Sequence, residues 1–250
     1  MAISIDTVYQ KVLAIANKEQ RGYITPQEFN LFANQAQMDI FEQYFYDINQ
    51  FGRAPGNDTE YSDMLTLLEE KIAIFEKDNV AMSALAGSTA TATLPTDVNF
   101  YRLGTVFYTK SAGNLIIIEK VKAKEVQLMN QTALYAPSSA RPVYVRKNET
   151  QIIIHPTSST PSYTHNAGNG NINCNYIAKP AIPKWTYTVV VGKALHNSGA
   201  SDFKDFELHE SEEESLVIKI LQLAGISIKD TLLIQTASAA ESSNVQQEKQ

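Results

Sequence analysis

The sequence predicts an α+β protein: a discontinuous helical bundle built from the N- and C-terminal segments, with an inserted antiparallel β domain. Three observations predict it. Three stretches before residue 80 repeat apolar residues every three or four positions, the middle turns to short Thr-, Val-, Tyr- and Phe-rich runs, and a helical period returns after residue 209. The expected organisation is 1–80 as the N-terminal part of the bundle and 81–204 as the β-rich insertion. Residues 205–234 form a C-terminal helix packing on the N-terminal helices, and 235–250 a polar tail that is disordered or ordered by a partner.

Each element has a local reason. In residues 5 to 18, IDTVYQKVLAIANK, Val8, Val12 and Ile15 share a strip with Leu13 and Ala16 adjoining, so a helix is expected. A second helix starts at Thr25: Thr25 as N-cap, Pro26 at the first helical position and Glu28 two residues later make a capping box. Phe29, Phe32, Ala36, Ile40, Tyr44 and Ile48 carry its apolar stripe, Phe41 and Phe45 widen it, and it ends near Phe51 and Gly52. A stripe that wide leaves Tyr44 or Tyr46 at its edge, where Tyr anchors contacts between chains. After the loop RAPGNDTE, a third helix is read in YSDMLTLLEEKIAIFEKD, capped by Ser62 or Asp63.

Strands are expected at about 100–109, 114–121, 142–146 and 151–155, the last two forming a hairpin in RPVYVRKNETQIIIHP. A short helix at AKEVQLMNQ interrupts them, and CNYIAKP and WTYTVVV follow a polar loop at 157–173. In HESEEESLVIKILQLAGI, Ser211 and Glu214 have capping-box spacing, glutamates crowd the first turn, and Gly225 is the expected stop.

Composition narrows the function classes. A chain of 250 residues that is 44% apolar can bury a core without staples, and one cysteine, Cys174, rules out an intrachain disulfide. The start of the chain is too polar for a secretory signal and no run suits a membrane span, so a protein kept inside a cell or particle is expected. His155, His165, His196 and His209 lack a metal-ligand spacing, Cys174 lacks a local activating pattern, and Gly168 with Gly170 lacks the rest of a dinucleotide fingerprint. No catalytic residue, cofactor, metal or small-molecule substrate is expected.

Charge is divided along the chain, whose net charge is −6. Between Arg102 and Lys147, eight basic residues (Arg102, Lys110, Lys120, Lys122, Lys124, Arg141, Arg146, Lys147) meet two acidic ones, Glu119 and Glu125. From Asp202 to Glu214 run seven carboxylates: Asp202, Asp205, Glu207, Glu210, Glu212, Glu213 and Glu214. Two readings stand side by side: a solvated surface, or complementary patches that meet between neighbouring copies. Two other readings are a DNA-binding protein using 102–147, with Tyr101, Tyr108, Tyr135 and Tyr144 interleaved, and a hydrolase using Cys174 or loop histidines.

The succession GYITPQEFNLFANQAQMDIFEQYF, LPTDVNFYRLGTVFY, RPVYVRKNETQIIIHP, NYIAKPAIPKW and FELHESEEESLVIKILQLAGI resembles virion ring proteins of short-tailed bacteriophages, especially crAss-like phages. The resemblance spans almost the whole chain from Ile5 and rests on packing and turn motifs; members often carry proline where Glu210 stands. It implies a non-enzymatic head-tail connector (adaptor) subunit in a cyclic, twelve-fold homo-oligomer. Such a ring docks below the portal protein, contacts other tail and ring proteins, and extends a channel through which DNA passes without specific binding. It places the protein in the virion, at the tail or head-tail interface, assembled in the host cytoplasm. The subunit-interface candidates are the eight basic residues, Asp202, Asp205, Glu207, Glu212, Glu213, Tyr44 and Tyr46.

Overall fold

A computed structural model describes residues 3–18, 24–51, 58–84, 91–95, 99–109, 115–138, 140–157 and 172–228, with 235, 237–240 and 242–243 near the end. In chain order come helices α1 (Ile5–Lys18), α2 (Pro26–Phe51) and α3 (Asp58–Ala73), then strands β1 (Glu76–Ala81), β2 (Ser83–Ala84), β3 (Thr91–Thr93), β4 (Phe100–Thr109) and β5 (Leu115–Lys120). Helix α4 (Ala123–Met129) precedes β6 (Val143–Arg146), β7 (Gln151–His155) and β8 (Ile172–Ala178). The chain continues through β9 (Tyr187–Val190), β10 (Lys193–His196), a 3-10 turn (Glu210–Glu212) and α5 (Glu213–Ile228). The fold is mixed α and β, and the chain divides into two compact units: Met1–Ile74 with Pro180–Gln250, and Phe75–Lys179. Residues 180–204 thus group with the helices.

In the first unit, α5 packs on α1 and α2, and α2 on α3. The α2 cap forms as its sequence dictates: Thr25 Oγ1 accepts from the Glu28 amide at 3.3 Å, and Glu28 Oε2 accepts from the Thr25 amide at 2.9 Å. The α1 stripe is rotated from the expected one. Ile5, Val8, Tyr9, Val12 and Ala16 are buried whereas Ile15 is exposed, because Tyr9 fills the core between Phe29 (ring centroids 4.7 Å apart) and Trp185 (4.3 Å).

Side chains of α2 then fasten the returning chain. Asn30 Oδ1 accepts from the Trp185 amide at 2.8 Å and Asn30 Nδ2 donates to its carbonyl; Gln37 Nε2 donates to the Ala181 carbonyl at 2.8 Å, and Gln37 Oε1 accepts from the Glu207 amide at 3.1 Å. Gln37 is fully buried, yet both ends of its amide are satisfied.

Two boundaries differ from expectation. Helix α3 gives way to strand at Glu76, where EKDNVA pairs antiparallel with β8, so the run read as helix to residue 78 is overridden by partner strand pairing. Helix α5 passes through Gly225 to Ile228, and Gly225 is buried, so packing carries the helix past its expected stop. His209, not Ser211, caps the preceding 3-10 turn, its side chain accepting from the Ser211 amide.

The second unit is a curled sheet with strand order β1-β8-β4-β5-β6-β7-β3-β2. The two ends of that order, β1 and β2, are consecutive in the chain with Met82 alone between them, so the sheet closes on itself. Strands β3 to β8 feed one core: Met82, Ala92, Val106, Tyr108, Ile118, Tyr144, Ile152, Ile154, Ile172, Cys174 and Tyr176 are buried together. Strand β8 shows the period plainly, Ile172, Cys174, Tyr176 and Ala178 pointing in and the residues between them half-exposed. The β6–β7 hairpin pairs Val143 with His155 and Arg146 with Ile152.

One pair breaks the antiparallel expectation. Strands β5 and β6 run parallel, Glu119 opposite Val143 and Lys120 opposite Tyr144. A parallel neighbour needs a long crossover, and residues 121–142, with α4 inside them, supply it.

Candidate interaction surfaces

Cys174 and His155 lie in the second unit, and His196 and His209 in the first. Cys174 is wholly buried opposite Val80 and Val106, and burial pushes its thiol up to about 11, so its nucleophilic thiolate is suppressed near neutral pH. Burial lowers the pKa of His155 at the end of β7. His196 lies over Trp185, ring centroids 5.6 Å apart, with its Nδ1 4.0 Å from Asp6, which itself accepts from Trp185 Nε1 at 2.9 Å. His165 lies outside the described residues. Among the described residues no group of three His, Cys, Asp or Glu side chains comes together as metal ligands do, and no helix is long and apolar enough to cross a membrane.

The acidic run is engaged within its own chain. Asp205 Oδ1 accepts from the Ile5 amide at 2.9 Å, at the start of α1, where the helix dipole favours an anion. Glu207 accepts from the Ala181 amide at 2.8 Å, Glu212 pairs with Lys71 at 2.6 Å, Glu213 with Lys11 at 2.7 Å, and Asp202 with Lys184. Glu210 and Glu214 are exposed. These partners are far away in sequence, which is why the run reads as a free patch from sequence alone.

The basic candidates are disposed differently. Arg102, Lys120, Lys122, Lys124, Arg141, Arg146 and Lys147 are all exposed, and among the described residues none forms an ion pair with a carboxylate; Lys110 lies outside them. Arg146 donates to the carbonyls of Asn148 and Glu149 and sits over the Phe100 ring, 5.7 Å from its centroid. Of the two tyrosines, Tyr44 is 4% exposed with Lys71 Nζ 5.8 Å from its ring centroid, whereas Tyr46 is 66% exposed.

Two exposed apolar surfaces were not singled out by sequence reasoning. On the second unit, the crossover from β5 to β6 leaves a groove of about 240 Å³ lined by Ile117, Leu134, Tyr135, Arg141, Glu119 and neighbouring residues. Ile117, Leu134 and Tyr135 on its wall are 64%, 80% and 66% exposed. On the first unit, the β9–β10 hairpin carries Val189, Val190, Val191 and Leu195 outward. Its base is closed by Asn197 donating to the Thr186 carbonyl, and its two-residue turn is Val191-Gly192. Both turn residues have positive φ, 51° at Val191 and 75° at Gly192. Hairpins demand such a turn, but a β-branched residue tolerates it badly. The signal that could have revealed this hairpin is VVVGKALH, a β-branched run, a glycine and a second alternating run.

No protein-family model matches this chain, and no curated protein matches it.

Proposed function

We propose that this chain is a structural subunit of a short-tailed phage virion, working without turnover as one copy in a closed ring of the head-tail connector. The ring docks below the portal and extends the DNA channel, with the N- and C-terminal helices bundled around the ring and the β unit meeting neighbouring subunits or rings. It assembles in the host cytoplasm and resides at the head-tail interface of the particle. One observation carries the reading alongside the sequence resemblance: the chain leaves large apolar side chains uncovered on both of its units, Val191 on one and Leu134 on the other. Each is one of a group of exposed apolar side chains, Val189 to Val191 with Leu195 and Ile117 with Leu134 and Tyr135, which supports contact with other macromolecules, and a closed ring of identical copies requires two unlike contact surfaces per copy.

The test is incorporation. Purified protein mixed with portal-bearing particles is expected to join them as a discrete ring visible by cryo-electron microscopy; protein that stays monomeric and never joins such particles sinks the reading. A second reading, DNA binding, draws on the seven exposed cations between Arg102 and Lys147. It requires a DNA affinity that falls steeply with salt as phosphate-bound counterions are released, and salt-insensitive or absent binding removes it.

A further inference from the structure

The β9–β10 hairpin carries exposed apolar side chains, and the β5–β6 crossover leaves a groove lined by others. Val191 is 96% exposed at the hairpin tip and Leu134 80% exposed at the groove. The tip is also strained: Val191 holds a positive φ that asparagine or glycine would adopt far more easily. Among the described residues nothing covers the Val191 side chain, so folding alone does not account for an apolar, β-branched residue there. A binding role does.

The groove also offers the hairpin one opposite charge and an open strand edge. From Tyr187 to Leu195 the hairpin has one charged residue, Lys193, beside its tip, and the groove has one carboxylate on its lining, Glu119, with Arg141. Strand β5 pairs with β6 only at Glu119 and Lys120, so among the described residues its edge from Leu115 to Ile118 has no strand partner on that side. Among the described residues the β9–β10 sheet has two strands and therefore two unpaired edges. A strand added beside β5 would satisfy backbone groups on both elements while the tip fills the groove.

We infer that the groove between β5 and the β5–β6 crossover receives the β9–β10 hairpin of a second copy of this chain, with Val191 seated against Ile117, Leu134 and Tyr135 and Lys193 facing Glu119. The contact joins unlike surfaces, so its repetition generates a ring or an open filament. This inference rests on the ring reading above and gives it its subunit contact.

Cysteine crosslinking tests it in the full chain, because the one native cysteine, Cys174, is wholly buried. Val191→Cys protein is mixed with Leu134→Cys protein and oxidised with diamide, and the double variant is oxidised alone, with and without portal-bearing particles. Crosslinked dimers from the mixture and a ladder of multimers from the double variant are expected. Discrete rings without crosslinks overturn the hairpin contact and leave the ring reading standing. Crosslinks that give only open filaments, with no ring on particles, support the contact and overturn the ring. Neither crosslinks nor rings overturns both, and a link formed within one chain, or from the groove to another protein alone, overturns the second-copy assignment. Val191→Asn adds a readout that a purely structural role cannot give: a higher thermal midpoint together with at least a tenfold loss of self-association. Lys193→Glu is expected to weaken association similarly, and Glu119→Lys to restore it.

Discussion

Glu212 shows how a residue that looks like surface charge becomes structure. Its carboxylate is 2.6 Å from Lys71 Nζ, the Glu212 side chain is 6% exposed, and the lysine lies near the face of the buried Tyr44 ring. Removing one partner of a buried pair strands the other charge, so Glu212→Ala is expected to lower stability by about 2–3 kcal/mol, read as a shift in the urea midpoint at unchanged slope. Asp202→Ala, at an exposed pair with Lys184, is expected to leave that midpoint where it was. A midpoint unmoved in Glu212→Ala would show that the pair contributes nothing. At this scale the sequence was legible where partners are local, as in the Thr25–Glu28 box, and opaque where they are distant. The Thr25 side-chain hydrogen bond, then its backbone one, holds Glu28 below the ordinary carboxylate range. That contribution is therefore full above the ordinary glutamate pKa and fades as pH falls through the lowered value. Nothing near Asp205, Glu207 or Glu212 in sequence could announce Ile5, Ala181 or Lys71 as partners, and the same distance hid the use of Gln37.

Elements with their own punctuation or period emerged directly: α1, α2, α4 and the β6–β7 hairpin lie where local pattern puts them. Strand β1 did not, because EKDNVA is almost wholly exposed, has no alternation, and is a strand only through β8. Its bulge shows how that pairing is held: Asn79 adopts a φ of 55°, its amide donates to Asn175 Oδ1 at 2.9 Å, and Asn173 donates to its side chain. On the other side of β8 the strands approach so closely that residue size decides the contact. A Cβ on Gly104 would lie 2.9 Å from the Asn175 carbonyl oxygen, a backbone atom, where the β4–β8 register shifts between Leu103 and Val106. Gly104→Ala must therefore push two strands apart and is expected to cost about 1–3 kcal/mol in chemical unfolding. Gly199→Ala, whose Cβ would meet only Asn197 Oδ1 at 3.5 Å, is the control expected to change nothing. Equal effects in both would mean that β4 and β8 accommodate the methyl group.

For the whole molecule, the two charge runs have separated into different roles. The acidic run ties the returning chain to α1, α3 and their surroundings inside one compact unit, whereas the basic run stands on the other unit without carboxylate partners among the described residues. Substitutions in the two runs should then fail in different ways. Neutralising Asp205, Glu207 and Glu212 together removes hydrogen bonds and an ion pair of the fold, so the thermal midpoint is expected to drop and any assembly to be lost with it. Reversing Lys120 and Lys124 touches exposed side chains, which ordinarily move stability by no more than about 0.5 kcal/mol. In a connector ring it is expected to leave the midpoint in place while reducing incorporation into portal-bearing particles, with the loss deepening at low salt, where charge acts over longer distances. If the same reversal instead abolishes DNA binding and incorporation is untouched, the basic face serves nucleic acid and not assembly. A reversal that changes neither would assign the basic face to solvent and leave the apolar hairpin and groove as the surfaces through which the chain meets its partners.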